Sequence, residues 1–360
     1  MSRRAITLLL TPVLGLAGLA LAIFVWAQLS PWPAVLLLRH GGLFADPAPW
    51  PEARRLVAEG KVRRIRDVVY LPAADGRPSQ SLDIYLPAHA EGALPVVAWV
   101  HGGGFVAGNK EALRDYLPLL AARGYAAVAV EYGKAPELQY PGPVRQVSAA
   151  LRFLDQHAAR WQLDMDRVVL GGDSAGAHIA AQAVMVICNP AYARATGLAP
   201  GLQPGQLRGA LLFSGTYDFR VSSPIDDIGG LAGWIAHDIV WAYLGSRHPD
   251  PGGPLHYTTL PAWVGTHFPP TLMMSGNGDP LLPQAQRMAA ALQRNGTAVR
   301  WLPFVDKTAP VPHEFQFDAR RQDAHAALAD TLAWLARHVP VPQGPAASTL
   351  VPARSGQGHP

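Results

Sequence analysis

Short apolar runs alternate with helix-length segments along most of the 360-residue chain. Such runs are typical of buried strands in a mostly parallel sheet that helices cover on both faces, and the chain is predicted to adopt this α/β fold. The first two runs flank Asp75-Gly76, which predicts an antiparallel pair. The expected strands are 68–71, 82–86, 96–100, 125–130, 167–170, 209–213, 270–275 and 299–304. The expected helices are 113–123, 143–160, 178–188, 283–295 and 318–338.

Two segments interrupt this alternation. Residues 219–266 are rich in Gly, Pro and aromatic side chains, and we expect a cap over a substrate pocket. The aromatic residues would either line the pocket or pack the cap itself. Residues 339–360 are rich in Pro, Ala, Ser and Gly and are predicted to be disordered. The catalytic domain is therefore expected at 67–338, with the cap as an insertion.

The N-terminal segment is apolar. No charged side chain lies between Arg4 and Arg39, and residues 6–29 are long enough to cross a bilayer as a helix. We predict a membrane anchor at 1–33, with a helix that ends at the proline-containing segment 30–33. A cleaved secretory or twin-arginine signal is the alternative, but the apolar run exceeds the usual length of about 7 to 15 residues.

The net charge of +4 is unevenly distributed. Nine Lys or Arg and three Asp or Glu give residues 1–66 a charge of +6, and the remainder carries −2. The basic connector at 34–66, with a helix-like stretch at 52–66, suits an anionic membrane surface better than nucleic acid, or is a solvated linker. Arg3 and Arg4 favour an extracytoplasmic catalytic domain, whereas the connector favours the opposite orientation; we expect the extracytoplasmic side, periplasmic or exported.

The sequence Gly-Asp-Ser-Ala-Gly at 172–176 follows a predicted strand and precedes a helix of small residues. A serine hydroxyl is a weak nucleophile, and a strained strand-to-helix turn exposes it to a base. Glycines on both sides make such a turn possible. Ser174 is therefore the predicted nucleophile, and the amide of Ala175 is a predicted donor to the oxyanion that acyl transfer creates.

A second motif, His-Gly-Gly-Gly-Phe at 101–105, follows the strand expected at 96–100. Consecutive glycines let backbone amides approach a carbonyl oxygen without a Cβ between them. A tight loop is the simplest explanation of this motif alone. Together with the serine elbow it indicates acyl transfer, because two strand-end motifs of one mechanism coincide.

The remaining catalytic groups are expected in the order Ser, then Asp or Glu, then His. Asp279, in the loop after the strand at 270–275, is the predicted acid, with Asp218 in reserve; taken alone, Asp279 also suits a turn or helix cap. His313, after the last strand, is the predicted base, although a lone loop histidine is often merely solvated. Three other histidines are less suitable, because they precede Asp279 or lie in the last helix: His256, His267 and His325.

Residues 66–338 resemble the hormone-sensitive-lipase-like branch of the α/β-hydrolase carboxylesterases, whose members carry the H-G-G-G loop, the G-D-S-A-G elbow and a late Asp and His. The resemblance implies an α/β-hydrolase fold. It also implies an oxyanion hole formed by the amides of Gly103, Gly104 and Ala175.

The chain departs from that branch at several positions. The family segment Y-R-L-A-P-E is altered at 132–137, where Gly133 and Lys134 replace Arg and Leu, and Ala177 replaces a further common glycine. The segment at 214–218 instead resembles the feruloyl-esterase and arylformamidase-like groups.

These features predict a serine hydrolase that cleaves carboxylic esters through an acyl-enzyme, with Ser174 attacking, His313 transferring the proton and Asp279 orienting the imidazole. An arylformamidase-like amide hydrolase, or a catalytically silent protein used for binding, is the alternative. No metal or organic cofactor is implied, because no His, Cys and carboxylate cluster has ligand spacing. The expected partners are a small-molecule ester and a membrane, not nucleic acid; the oligomeric state is left open.

Overall fold

The computed structural model describes residues 3–42, 47–90, 92–220 and 230–341. Within these ranges, one sheet contains eight strands. They are β1 (Val62–Leu71), β2 (Gln80–Pro87), β3 (Leu94–Val100), β4 (Ala126–Val130), β5 (Leu163–Asp173), β6 (Leu207–Phe213), β7 (Thr271–Gly276) and β8 (Val299–Phe304).

The strand order is β1-β2-β4-β3-β5-β6-β7-β8. β2 runs antiparallel to both β1 and β4, and all other neighbours are parallel. The predicted α/β fold with a mostly parallel sheet is therefore confirmed. Pairing of Val100 with Gly172 brings the end of β3 beside the end of β5, so the two glycine-containing motifs begin side by side.

Helices cover both faces of the sheet. They are α1 (Arg3–Leu29), α2 (Trp32–His40), α3 (Pro51–Ala58), α4 (Leu117–Ala121), α5 (Gly142–Gln156), α6 (Ser174–Cys188), α7 (Pro190–Thr196), α8 (Gly230–Leu244), α9 (Pro254–Tyr257), α10 (Leu282–Arg294) and α11 (Gln322–His338). Single turns of 3₁₀ helix lie at Lys110–Leu113, Ala158–Trp161, Pro204–Gln206, Leu260–Ala262 and Phe315–Phe317.

β3 and β4 are apolar and buried at every position, because helices cover both faces of the sheet there. In β3, Val96 and Ala98 belong to one hydrophobic core, and Val97 and Trp99 belong to the core on the opposite face. This division follows from the alternation of side chains along a strand. α6 consists mainly of small and apolar residues because the helix is buried along its whole length. The sheet thus holds the residues at its strand ends on a rigid support.

The N-terminal helices are separated by a sharp bend after Leu29. Among the residues whose side chains are described, no one helix combines the length and apolarity that crossing a bilayer requires, and Gly15–Leu29 with Trp32–His40 do so only as a pair bent by 106°. The predicted membrane anchor stays a prediction.

The predicted connector at 34–66 needs correction. Its helix ends at Ala58, and residues from Val62 onward already belong to β1. Pairing of Arg63 with Leu86 and of Arg64 with Tyr85 on β2 fixes the extended conformation there. Sheet pairing overrides local propensity at these positions.

The predicted cap and tail are described only in part. Residues 221–229 of the cap lie outside the described residues, and the part that follows contains α8 and α9. The disorder predicted from residue 339 needs correction at its start, because Val339 is buried and the carbonyl of Pro340 accepts a hydrogen bond from Arg167. Residues 342–360 lie outside the described residues.

Candidate active site

Ser174 lies at the junction of β5 and α6 in a strained conformation. Its φ is +50°, in the left-handed region that side chains other than glycine rarely adopt. The turn requires glycine at its close approaches: a Cβ on Gly176 would overlap with the carbonyl oxygens of Val100 and His101. The elbow therefore packs directly against the backbone that leads into the loop at 102–104.

Ser174, His313 and Asp279 form a continuous hydrogen-bonded chain. The Nε2 of His313 lies 2.9 Å from the Oγ of Ser174, and its Nδ1 lies 2.9 Å from the Oδ1 of Asp279. Asp279 also accepts hydrogen bonds from the amide of Leu281 (2.8 Å) and the hydroxyl of Ser275 (2.9 Å). The three predicted residues come from the ends of β5, β7 and β8, which explains how positions so distant in sequence meet.

The two titratable partners have different electrostatic surroundings. Burial raises the pKa of Asp279, but the charge and hydrogen bond of His313, with the hydrogen bonds from Leu281 and Ser275, outweigh it and hold the pKa below the ordinary value. Burial lowers the pKa of His313, but the hydrogen bond and charge of Asp279, with smaller contributions from Glu314 and Asp173, raise it to about 9. Asp279 therefore stays ionised, and the imidazole binds a proton readily.

The predicted oxyanion-hole residues lie beside the elbow. Gly103 has φ +113°, and a Cβ there would overlap with the backbone of Ala107; Gly104 has φ +60°. Both positions thus require a residue that tolerates positive φ. Ala175 is the second residue of α6, where the amide has no acceptor within the helix. The amide of Gly102 donates to the Oδ2 of Asp173 at 2.7 Å and ties the loop to the elbow.

Two helices cover the loop that contains Gly104. A Cβ on Gly104 would lie 3.2 Å from the Cδ2 of Leu38 on α2 and 3.3 Å from the Cδ1 of Ile239 on α8. Leu38 was not among the predicted site residues, because residues 34–66 were interpreted as a connector. No local signal in the sequence reveals this contact, since Leu38 and Gly104 are far apart in the chain.

Arg39 fastens α2 to the site. Its guanidinium donates to the carbonyl oxygens of Val106 (2.7 Å) and Ala135 (2.9 Å) and pairs with both carboxylate oxygens of Glu137 at 2.8 Å. Arg39 thus reaches the segment at 132–137 in which the family arginine is missing. Lys134 nearby is partly buried, and this burial together with the charge of Arg39 lowers its pKa to about 8. Arg39, which was counted in the basic connector, is therefore paired with Glu137 inside the catalytic domain.

The other sequence candidates have different surroundings. The reserve acid, Asp218, forms a salt bridge with Arg220. His325 contacts the ring of Trp50 and hydrogen-bonds to the carbonyl of Ala319. In the described part of the chain, no group of three or more His, Cys, Asp or Glu side chains could hold a metal ion.

Comparison with known proteins gives related sequences. A family model described as an alpha/beta hydrolase fold matches residues 97–316. The chain is 27% identical over 235 residues to esterase LipQ of Mycobacterium tuberculosis (strain ATCC 25618 / H37Rv), a match covering 63% of this chain and 53% of the relative. It is 35% identical over 116 residues to the probable isoprenylcysteine alpha-carbonyl methylesterase ICMEL1 of Arabidopsis thaliana, covering 32% of this chain and 24% of that protein. The chain thus spans about half the length of the first relative and about a quarter of the second.

Solved structures share the architecture. The bacterial heroin esterase superimposes with a TM-score of 0.62 and 24% sequence identity, covering 82% of this chain and 92% of that one. At this level of identity the likeness concerns the fold alone.

The pKa of His313 leads to a testable pH dependence. The imidazole accepts the proton of Ser174 only when it is neutral, and a pKa of about 9 keeps most of it protonated at pH 7. We expect log kcat/KM for a neutral p-nitrophenyl ester to rise with a slope of one from pH 7 and to level off near pH 9, after correction for spontaneous hydrolysis. A profile already flat above pH 7.5 would contradict the raised pKa.

Proposed function

The chain belongs to the family of proteins with an alpha/beta hydrolase fold, and on that premise we propose that it is a serine hydrolase that cleaves carboxylic esters through an acyl-enzyme. One observation carries the proposal: the imidazole of His313 is hydrogen-bonded to Ser174 on one side and to a buried Asp279 on the other, each at 2.9 Å. This is the arrangement that a serine nucleophile needs. It also favours a catalyst over a silent binding protein, which has no need of it.

In the proposed reaction, Ser174 Oγ attacks the ester carbonyl carbon while His313 Nε2 takes its proton. The imidazolium then donates this proton to the leaving alcohol, and the acyl group remains on Ser174. A water molecule that His313 deprotonates attacks the acyl-enzyme and releases the acid. Asp279 keeps Nδ1 protonated throughout, so that Nε2 is the nitrogen that exchanges protons.

The amides of Gly103, Gly104 and Ala175 are proposed to bind the oxyanion of the tetrahedral intermediates. Donors fixed before the reaction require no reorganisation as charge develops on the oxygen. The positive φ angles of the two glycines and the position of Ala175 in the first turn of α6 support this role.

Esters are proposed in preference to amides. Both sequence relatives described above are named as esterases, which supports this choice. Leu38 and Ile239, which cover Gly104, are proposed to bound the acyl pocket and to limit the length of the acyl chain.

We also propose that residues 1–33 anchor the protein in a membrane and that the catalytic domain lies outside the cytoplasm. The side chains of α1 support this, because apolar residues are exposed all around the helix: Leu16, Leu19, Leu21, Ile23, Phe24 and Trp26. Arg3 and Arg4, which precede the apolar run, favour a cytoplasmic N-terminus, and one membrane crossing would then place the catalytic domain on the other side.

Covalent labelling tests the nucleophile. A fluorophosphonate probe should label the native protein and leave Ser174→Ala unlabelled, because only the activated Oγ attacks phosphorus. Asp279→Asn should lower kcat by about 10⁴-fold through loss of the correct imidazole tautomer. Ser148→Ala, which removes a buried hydroxyl from α5, is the matched control and should label as the native protein does. Folded native protein that fails to react would refute the serine mechanism.

Chain-length preference tests the acyl pocket. Across p-nitrophenyl esters of increasing acyl length, Leu38→Ala should shift the maximum of kcat/KM to longer chains, with a gain of about tenfold for the first disfavoured ester. Leu36→Ala on the same helix is the control, because Leu36 is exposed. Identical profiles for Leu38→Ala and the native enzyme would exclude Leu38 from the acyl pocket.

Truncation tests the anchor. The full chain should sediment with membranes and resist alkaline carbonate, whereas a variant lacking residues 1–29 should be soluble and active, because it keeps Leu38 and Arg39 on α2. Protease added to sealed spheroplasts should digest the catalytic domain. Release of the full chain by carbonate would argue against an integral anchor, and protection from protease would argue against the proposed orientation.

A further inference from the structure

Asp173, the residue before the nucleophile, has an unusual set of partners. It occupies the position before α6 where an aspartate ordinarily caps the helix, yet its side chain makes no capping hydrogen bond. Its Oδ1 instead accepts from the indole Nε1 of Trp99 at 2.6 Å, and its Oδ2 accepts from the amide of Gly102 at 2.7 Å. The carboxyl is buried, so its contact with the loop at 102–104, called the oxyanion loop below, requires an explanation other than helix capping.

Glu314, the residue after the proposed base, faces the same carboxyl. A Cβ on Gly102 would overlap with both the Oδ2 of Asp173 and the Oε1 of Glu314, so one oxygen of each acid fills the space beside this glycine. Glu314 also holds a φ of +54°, a conformation that a glutamate adopts only when its surroundings favour it. The first glycine of the 102–104 loop is therefore required partly because two carboxyl groups fill the space beside it.

Two carboxyl groups this close together in a buried site repel each other when both are ionised, so one of them is favoured in its protonated form. Burial and the charge of Glu314 raise the pKa of Asp173 well above its ordinary value. Neutral side chains dominate the surroundings: His101 is buried, its pKa is lowered to about 3, and the buried Tyr116 and Tyr132 have raised pKa values.

The group that faces the pair from the remaining side is the imidazole of His313. Its Nε2 lies 3.9 Å from the Oε1 of Glu314. Asp279 lies on the opposite edge of the ring, at Nδ1. The imidazole thus has a carboxylate on each side. Of the two acids beside Gly102, Asp173 is the more deeply buried, so it is the one better placed to hold a proton.

We propose that Asp173 and Glu314 share one proton as a carboxylic acid–carboxylate pair, which joins the elbow, the oxyanion loop and the loop after β8 that carries His313, and keeps a negative charge beside the imidazole. Asp173 donates the proton to Glu314, and the same Asp173 carboxyl accepts the amide hydrogen of Gly102. Glu314 is then a positioning residue: it acts through Asp173 on the oxyanion loop and through its charge on His313. The kinetic part of this inference rests on the proposed ester hydrolysis; the shared proton does not.

Infrared spectroscopy tests the proton directly. At pH 7 the native protein should show the carbonyl stretch of a buried protonated carboxyl group, and this band should be missing from both Glu314→Gln and Asp173→Asn. In each variant the new amide donates the hydrogen bond, so no shared proton is needed. A native-minus-variant difference spectrum that lacks the band, for either variant, overturns the shared proton.

Kinetics test the positioning role. Glu314→Gly removes the carboxyl while accepting the positive φ without strain, so the loop should fold; we expect kcat to fall by about 10- to 100-fold with little change in KM. Glu314→Gln keeps a hydrogen bond to Asp173, and kcat should stay within about threefold of the native value. In Glu314→Gln the charge moves from Glu314 to the more distant Asp173, so the acidic limb of the pH profile should move down by about 0.5 to 1 pH unit.

Each kinetic outcome decides the role. Glu59→Gln, which removes an exposed carboxylate paired with Lys61, is the control and should leave the profile unchanged. Native kcat in Glu314→Gly overturns the positioning role, and an unmoved acidic limb in Glu314→Gln overturns the charge effect on His313. If the native protein hydrolyses no ester in the series, the proposed function fails, while the infrared comparison still decides whether the proton is shared.

Discussion

The site depends on the direct packing of one backbone turn against another. The β5–α6 elbow lies against the backbone that leaves β3, and this approach is possible only because Gly176 has no side chain to collide with the carbonyls of Val100 and His101. Neighbouring parallel strands bring the two turns together, with Val100 paired to Gly172. Any side chain at Gly176 would separate the nucleophile from the amides proposed to bind the oxyanion, and the separation matters because an error of about 1 Å is enough to cost two orders of magnitude in rate.

Electrostatic differences between two buried carboxyl groups follow from their neighbours. Asp279 has donors on both oxygens, from Ser275, Leu281 and His313, and it remains ionised. Asp173 also has two donors, but its burial, together with the charge of the neighbouring Glu314, outweighs them and raises its pKa. Of the two aspartates, Asp279 therefore supplies a negative charge at Nδ1 of His313, and Asp173 holds a proton near Nε2. Pairs of groups whose surroundings separate their pKa values in this way are characteristic of acid–base sites.

Much of this arrangement is readable from sequence because it is local. The apolar runs that became β3 to β8, and the motifs directly after β3 and β5, depend on neighbouring residues, so pattern alone predicts them. The loops that carry Asp279 and His313, and their meeting with Ser174, are predictable from chain order and from the common edge of parallel strand ends, whereas the distances between the side chains are not. Leu38, Arg39 and Glu314 were missed as parts of the site because each acts through a contact with a distant segment. β1 was predicted too short, since pairing with β2 rather than composition sets its start at Val62.

The contacts of α2 change how the N-terminal segment should be understood. Arg39 holds α2 on the loop at 105–107 and on Glu137, and Leu38 lies over Gly104. Arg247, beyond the end of α8, donates to the carbonyl of Gln28 in the last turn of α1. The end of the cap is thus attached to the end of α1, and the loop at 102–104 is attached to α2, the next helix along the chain. The proposed membrane anchor would therefore not be an independent tether, because the helix that follows it packs on the loop at 102–104.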